Sequence, residues 1–484
     1  MRTPLLFRRL AVVCAAMVTT VLSSCGSDRV AGIEGSGAPV AASPVTTTGR
    51  ITGFGSIIVD DVEYETSGAR IHIDDQPATE AELRVGHVVS IEGTVNADGR
   101  TGTAREVRFT SDVRGDVGLV DVAARTFSVL GQIVRVNDET LFDEATQIED
   151  LEQLQAGTRV RVSGFLNAAG EVLASRVDGV IAAPVQEAQV SGRVQSLDTS
   201  ALSFRVNNLQ VDYRGATVTG NLAEGSRATV RGTVGTGEAA GTLVAVQVTV
   251  TSEKPAPPAG EKAQIEGLIS TFHSLEDFTV DGRRVTTNGD TRFNLRGITP
   301  GVDVFVKVRG TFNASNVLVA DRVEARELPQ AVVRGPVTSV SATDGTLNVL
   351  GVTVQVSAST SFEDRSSERR REFRLSDVRS GDYVEVRGTS GPGGPLVATL
   401  VQRNRPEQRV HVQGVARELA PPQFTLLGIT VLTDSRTTYP GLGEGNGAET
   451  FFSRANGRQV QVRGSLDGSI VIADQVRLVG REDD

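Results

Sequence analysis

Short runs of alternating apolar and polar residues recur along almost the whole chain. TFSVLGQIVRV, LSFRVNNLQVDY, FTVDGRRVTT, TLNVLGVTVQV and QFTLLGITVLT each alternate with period two on both sides of a central Gly, Asn-Asn or Asp-Gly. Period two puts every second side chain on one face of a strand, and Gly, Asn and Asp suit the positive-φ positions of a two-residue turn. Each run therefore predicts a tight antiparallel hairpin. SIIVDDVEYET supplies the earliest copy, with Asp60-Asp61 at the turn. Before each hairpin comes an opening strand that carries a glycine: Gly49, Gly115, Gly192, Gly267, Gly335 and Gly414.

A fourth strand follows at longer range. VSIEG, VRVSG, ATVRG, VKVRG, VEVRG and VQVRG read as strands that end at Gly93, Gly164, Gly232, Gly310, Gly388 and Gly464, nearly evenly spaced along the chain. Each is followed by Ala-x-x-Val in a fifth strand: Ala104/Val107, Ala174/Val177, Ala245/Val248, Ala320/Val323, Ala398/Val401 and Ala473/Val476. Between the third and fourth strands, an apolar residue such as Leu83, Leu154, Leu222, Ile298 or Val378 stands three residues before a glycine, which predicts one helical turn closed by a C-cap glycine. The sixth copy departs from this at Arg454. Six repeats of strand, strand, strand, helical turn, strand, strand account for the chain between residues 46 and 481.

That order resembles the oligonucleotide/oligosaccharide-binding (OB) barrel. The expected fold is all-β: six tandem small OB-like five-stranded β-barrel modules, as beads on a string, at 46–112, 113–182, 188–252, 262–326, 331–403 and 408–481. APVQE, EKPAPPAGEK, ELPQ and NRPEQ punctuate the joints as polar, proline-bearing linkers, and the joint near Asp112 lacks proline, which suggests closer packing of the first two units. GFGSIIVDDVEYET, the Gly-x-x-V-x-V-x-Gly spacing and the Ala-x-x-Val strand resemble the domain of unknown function 5666, a small β module found singly and in tandem in bacterial envelope proteins. That resemblance brings no activity and no site residues.

The N-terminal leader predicts that these modules are exported. MRTPLLFRRLAVVCAAMVTTVLSSC has a basic start, an apolar stretch from Leu10 to about Leu22 and small residues before Cys25, the layout of a secretory leader. Leu22-Ser23-Ser24-Cys25 resembles a bacterial lipobox, which implies a signal peptide over 1–24, lipidation of Cys25 and a membrane anchor. Gly26 in place of Asp resembles the default for outer-membrane delivery. Residues 25–45 then form a Gly-, Ser- and Pro-rich tether. Two acyl chains anchor stably, because each buried CH₂ contributes about 0.8 kcal/mol. With Cys14 in the leader and Cys25 acylated, the mature chain keeps no cysteine for disulfides or thiolate chemistry.

Charge narrows the partners. The formal net charge is −10, and removal of Arg2, Arg8 and Arg9 with the acid-free leader takes it to −13, which disfavours nucleic acid. The expected role is a non-enzymatic scaffold or interaction protein of the cell envelope, held at the membrane by its lipid anchor, whose partner, an envelope protein or a glycan, the residues do not name. The alternative is an oligosaccharide- or peptidoglycan-binding protein that uses the barrel faces. No cofactor and no metal site is expected.

Few residues suggest chemistry. The glycines of Gly49–Gly55 lead into β-branched alternation with no helix, so they read as architecture and not as a phosphate loop. His72, His87, His273 and His411 show no metal-ligand spacing, although His72 stands near Asp74 and Asp75. Arg114-Gly115-Asp116 falls in an opening strand. Arg365, Arg369, Arg370 and Arg371 read as an exposed loop, and Gly441–Gly447 as a flexible one. The better candidate is the arginine just before the fourth-strand glycine, Arg231, Arg309, Arg387 and Arg463. It alternates with an inward valine and so faces outward, toward an acidic partner or toward local Asp and Glu.

Overall fold

The first unit sets the pattern for the others. The computed structural model describes residues 42–479, apart from 138, 144–147, 149, 181–186, 236–240, 252–257, 327–329, 391–393 and 443–445. The strands of the first unit are β1 (Ser43–Gly53), β2 (Ile57–Val59), β3 (Val62–Glu65), β4 (Arg70–Ile73), β5 (Gln76–Ala78), β6 (Val88–Val95) and β7 (Thr101–Phe109). β1 pairs with β6 along its first half and with β2 along its second, β2 with β3, β3 in parallel with β7, and β7 with β6. The five-stranded ring closes in the order of an OB-like barrel. The same five pairings recur in the second, third, fourth, fifth and sixth units.

The periodic glycine does not end its strand; it marks a bulge. In all six barrels the pairing register slips by one between the residue before the glycine and the glycine itself, opposite the first x of Ala-x-x-Val. The carbonyl just before the facing alanine comes so close that a Cβ on Gly93, Gly164, Gly232, Gly310, Gly388 or Gly464 would lie 2.0–2.3 Å from it. The two most regular features of the sequence are thus the two sides of one β-bulge, which tightens the local twist and helps the sheet to close. The opening glycines answer to a different contact. At Leu130, Leu350 and Leu427 the hairpin turn places a leucine at positive φ, and its side chain folds over Gly115, Gly335 or Gly414 at 2.6–3.1 Å from where a Cβ would be.

The predicted helical turn is a 3-10 turn at Glu80–Glu82, Leu151–Gln153 and Leu375–Asp377, and no described helix stands at Leu222 or Ile298. The sixth unit has instead an α-helix, Gly447–Arg454, whose Phe451 packs on Phe424 and Tyr439 at the barrel end. The Gly-rich insertion therefore leads into a helix.

Beads on a string is the part of the expectation that the structure corrects. Residues Ala41–Asp484 form one compact unit, in which the barrels are joined edge to edge. β1 pairs in parallel with Lys262–Ser274, the opening strand of the fourth unit. The opening strands of the second and third units pair antiparallel through Arg114↔Gln189 and Val113↔Val190, and those of the fifth and sixth through the equivalent Arg334↔His411 and Val333↔Val412. Among the described residues, three sheets of 13, 12 and 11 strands result. The physical reason is the long opening strand. Its first part pairs with the fourth strand on one side and, because the hairpin covers only its second part, keeps a free edge on the other; pairing two such edges removes both. The cores of the fifth and sixth units run together as one cluster.

Candidate functional site

Where the first, second, fourth and fifth units meet, a ring of charge closes the junction. Arg50 lies one residue past the opening glycine of the first unit, Glu139 just before the start of Leu141–Phe142 in the second, and Glu266 and Arg326 at the two ends of the fourth. Arg50 Nη1 lies 3.0 Å from Glu139 and Arg50 Nε 3.5 Å from Glu266; Arg326 closes the ring at 2.7 Å to Glu139 and 3.0 Å to Glu266. Glu266 also accepts the Arg50 backbone N–H at 2.9 Å. Burial lifts the Glu139 carboxyl above the usual carboxylate range in spite of Arg50, while Glu139 and Glu266 hold Arg50 charged against its own burial. Beside the ring is a small cleft of about 310 Å³, its open mouth included, into which Ser175, Ser361 and Thr399 also face. Each carboxylate is engaged by two guanidiniums.

Similar networks fill the other junctions. Asp74 of the first unit accepts from Ser111 N–H and Oγ–H and from Gln189 of the third unit, with Arg114 and Arg161 of the second close by. Asp112 accepts from Gly164 N–H at 2.9 Å and faces Arg227 of the third unit, which pairs with Asp281 of the fourth. Burial first, then Asp281 and Asp74, push the Asp112 carboxyl up to about 7 against the pull of Arg227. Phe165 of the second unit meets Phe305 of the fourth edge to face at 4.9 Å.

The four periodic arginines turn to other barrels of the same chain. Arg231 is buried, with only 6% of its side chain exposed, against Asp75 of the first unit and Gln189. Arg309 holds Asp60 of the first unit at 3.2 Å, together with Lys307 at 3.1 Å. Arg387 donates to the Thr140 carbonyl of the second unit and pairs with Glu385. Arg463, at 37% exposure, reaches Glu152 and Asp150 of the second unit. In the second unit Ser163 stands at the same position and accepts the Val88 N–H of the first at 2.8 Å. Five of the six copies of this position therefore bridge barrels; in the first unit Glu92 pairs with Arg105. The outward direction expected of the arginines holds for each barrel, and what lies outward is the next barrel.

Five segments of the chain match the sequence profile of the domain of unknown function DUF5666: residues 45–108, 118–178, 266–324, 334–402 and 413–477, more than half of its length. The chain belongs to the DUF5666 family. Its third barrel, at 188–252, closes with the same pairings outside the matched DUF5666 segments. No curated protein matches the chain.

The remaining candidates resolve one by one. The Arg50 N–H that a phosphate loop would offer is given to Glu266, so Gly49–Gly55 is architecture. Arg114-Gly115-Asp116 lies within strand Val113–Asp121. Asp74 and Asp75 are taken up by the contacts above, and among the described residues no group of three His, Cys, Asp or Glu is placed to hold a metal ion. The Arg365–Arg371 segment is not simply an exposed loop: Arg365 is buried beside Glu363, and Arg371 packs over Phe54 and donates to the Leu83 carbonyl at the end of the first unit's 3-10 turn. Phe127, Phe204, Phe278 and Phe424 are core residues. Cys25 lies outside the described residues. His87, by contrast, proves to be a buried seam residue; HVVSIEG carried no sign of it beyond its place at the start of the fourth strand.

Proposed function

We propose that this DUF5666 protein is a non-enzymatic scaffold of the cell envelope, anchored through a lipidated Cys25 and presenting one rigid six-barrel body to an envelope protein. The observation that carries this reading is the use of the repeated position before the bulge glycine, which in five of six barrels is spent on holding barrels together. Selection for a fixed arrangement of repeats explains that pattern, whereas a row of independent binding modules would leave the position to a ligand. The doubly engaged carboxylates of the Arg50–Glu139–Arg326–Glu266 ring support the same reading, because a general acid or base must be free to exchange a proton.

Two experiments test it. Replacing Cys25 with Ala should move the full chain from the membrane to the soluble fraction, and retention in the membrane would remove the anchor. The full chain should be captured by a defined envelope-protein complex after crosslinking in cells; binding to purified peptidoglycan or polysaccharide alone would replace the scaffold with a glycan-binding role.

A further inference from the structure

The seam between the first, second and fifth barrels is closed around one imidazole. His87 is 1% exposed and stacks on Phe109 with ring centroids 4.0 Å apart. Its two nitrogens have opposite, fixed roles. Nδ1 accepts the Arg84 backbone N–H at 3.1 Å, so it carries no proton, and Nε2–H donates to Asp178 of the second barrel at 2.7 Å. This is the neutral tautomer. The other Asp178 oxygen accepts from Arg176, which also donates to the Val85 carbonyl of the first barrel and to Glu363 of the fifth, each at 3.0 Å. Glu363 in turn accepts from Arg365 and Gln402. Beside this chain Ser163 and Ser175 of the second barrel bond to Val88 N–H and the Gly86 carbonyl at 2.8 and 2.6 Å.

A second proton on the ring has one place to go. It must sit on Nδ1, where it would point at the Arg84 N–H, a donor facing a donor. Among the described residues, the charged groups that act on the ring are the Arg176 and Arg161 guanidiniums and the Asp178 carboxylate; Glu363, Arg365 and Asp143 stand behind Arg176. We infer that His87 is a proton-sensitive latch: the neutral ring clamps the first barrel to the second and fifth, and protonation at Nδ1 releases that seam. The electrostatics agree. Burial first, then Arg176 and Arg161, outweigh Asp178 and hold the His87 imidazole below its ordinary value of 6.5. A lowered folded value means that the clamp is fully present above about pH 6.5 and weakens as pH falls through the folded value.

The test is amide hydrogen exchange on the full chain between pH 7.5 and 5, corrected for intrinsic rates. The Val88 amide reports the seam directly, since its bond crosses to Ser163. Its protection should drop by on the order of tenfold per pH unit below about pH 6.5, where the released imidazole charges, and level off once the clamped ring is itself protonated, while the β1 seam with the fourth barrel holds. In His87→Gln the fall at Val88 should be absent over that range; Asp112, which accepts the Gly164 N–H beside Ser163, can only add protection as pH falls, because its carboxyl is raised in the folded chain. Constant protection in the native chain, or the same fall in His87→Gln, would overturn the latch. Should His87→Gln be open already at pH 7, the native imidazole resonance decides by NMR: titration at or above pH 6.5 with Val88 still protected refutes the proposal, and titration below it together with loss of protection supports it.

Discussion

Replacing Glu139 with Gln removes one charge from the ring at the four-barrel junction and leaves its volume almost unchanged. Two guanidiniums, Arg50 and Arg326, then share one carboxylate, Glu266, and the new amide presents donors to a neighbour that has only donors. Breaking a buried ion pair from one side costs about 3–5 kcal/mol, since the desolvation of the surviving charge is no longer offset. The burial that lifts the Glu139 carboxyl argues for the lower end, near about 3 kcal/mol. Because Glu139, Arg50 and Arg326 belong to three barrels, the loss should appear in the unfolding of the whole body. Urea denaturation of residues 42–484, followed by circular dichroism, measures it. The control replaces all four members with Met or Leu, which takes every charge out together and should return stability to within about 2 kcal/mol of the native chain. A loss below about 1 kcal/mol in Glu139→Gln, or a quadruple variant worse than the single one, would show that the ring does not join the barrels.

Three further substitutions probe other parts of the account. Gly388→Ala places a Cβ 2.1 Å from the Val397 carbonyl, so the bulge must open; the cost should be at least about 1–3 kcal/mol by urea denaturation, and a neutral result would refute the bulge. Asp112, with its carboxyl pushed up to about 7, favours the folded state fully below the ordinary aspartate value near 3.8 and loses that contribution as pH rises toward 7. Asp112→Asn should therefore raise the melting temperature at pH 8 and gain at most about 4 kcal/mol there, with little change at pH 4. Arg231→Ala, at a buried pair, should cost several times more than Arg463→Ala, at a half-exposed one worth less than about 1 kcal/mol; equal effects would contradict the burial difference.

The repeat itself was plain in the sequence, because period-two alternation, Asp-Gly or Leu-Gly turns and an evenly recurring strand glycine are features of the chain read in order. What those glycines do was not. Gly310 and Ala320 are separated along the chain, and only the folded sheet shows that the Val319 carbonyl occupies the space of the missing Cβ. The helix Gly447–Arg454 escaped because a Gly-rich insertion precedes it and its apolar face is just Ala448, Phe451, Phe452 and Ala455, two turns at most.

The packing of the barrels left one trace that is visible only by unit. The first two barrels, 46–112 and 113–182, carry twelve Arg and Lys against twenty-three Asp and Glu, while the other four carry thirty-one against twenty-six. Net charge of the whole chain averages this away. The ion pairs follow the division: Asp75 with Arg231, Asp60 with Arg309, Glu63 with Arg374, Glu139 with Arg326 and Glu152 with Arg463 all join an acid of the first two barrels to an arginine of a later one. Partner choice among six similar barrels depends on such long-range pairs, and alternation within a strand has no information about them.

Small-angle X-ray scattering from residues 42–484 tests the central claim, that six barrels form one body. A compact unit of that length should have a radius of gyration of about 22 Å. Six separate barrels of about 11 Å each, strung end to end, would give about 50 Å. The smaller radius with a single-peaked distance distribution is the expected result, and the larger one would restore the string.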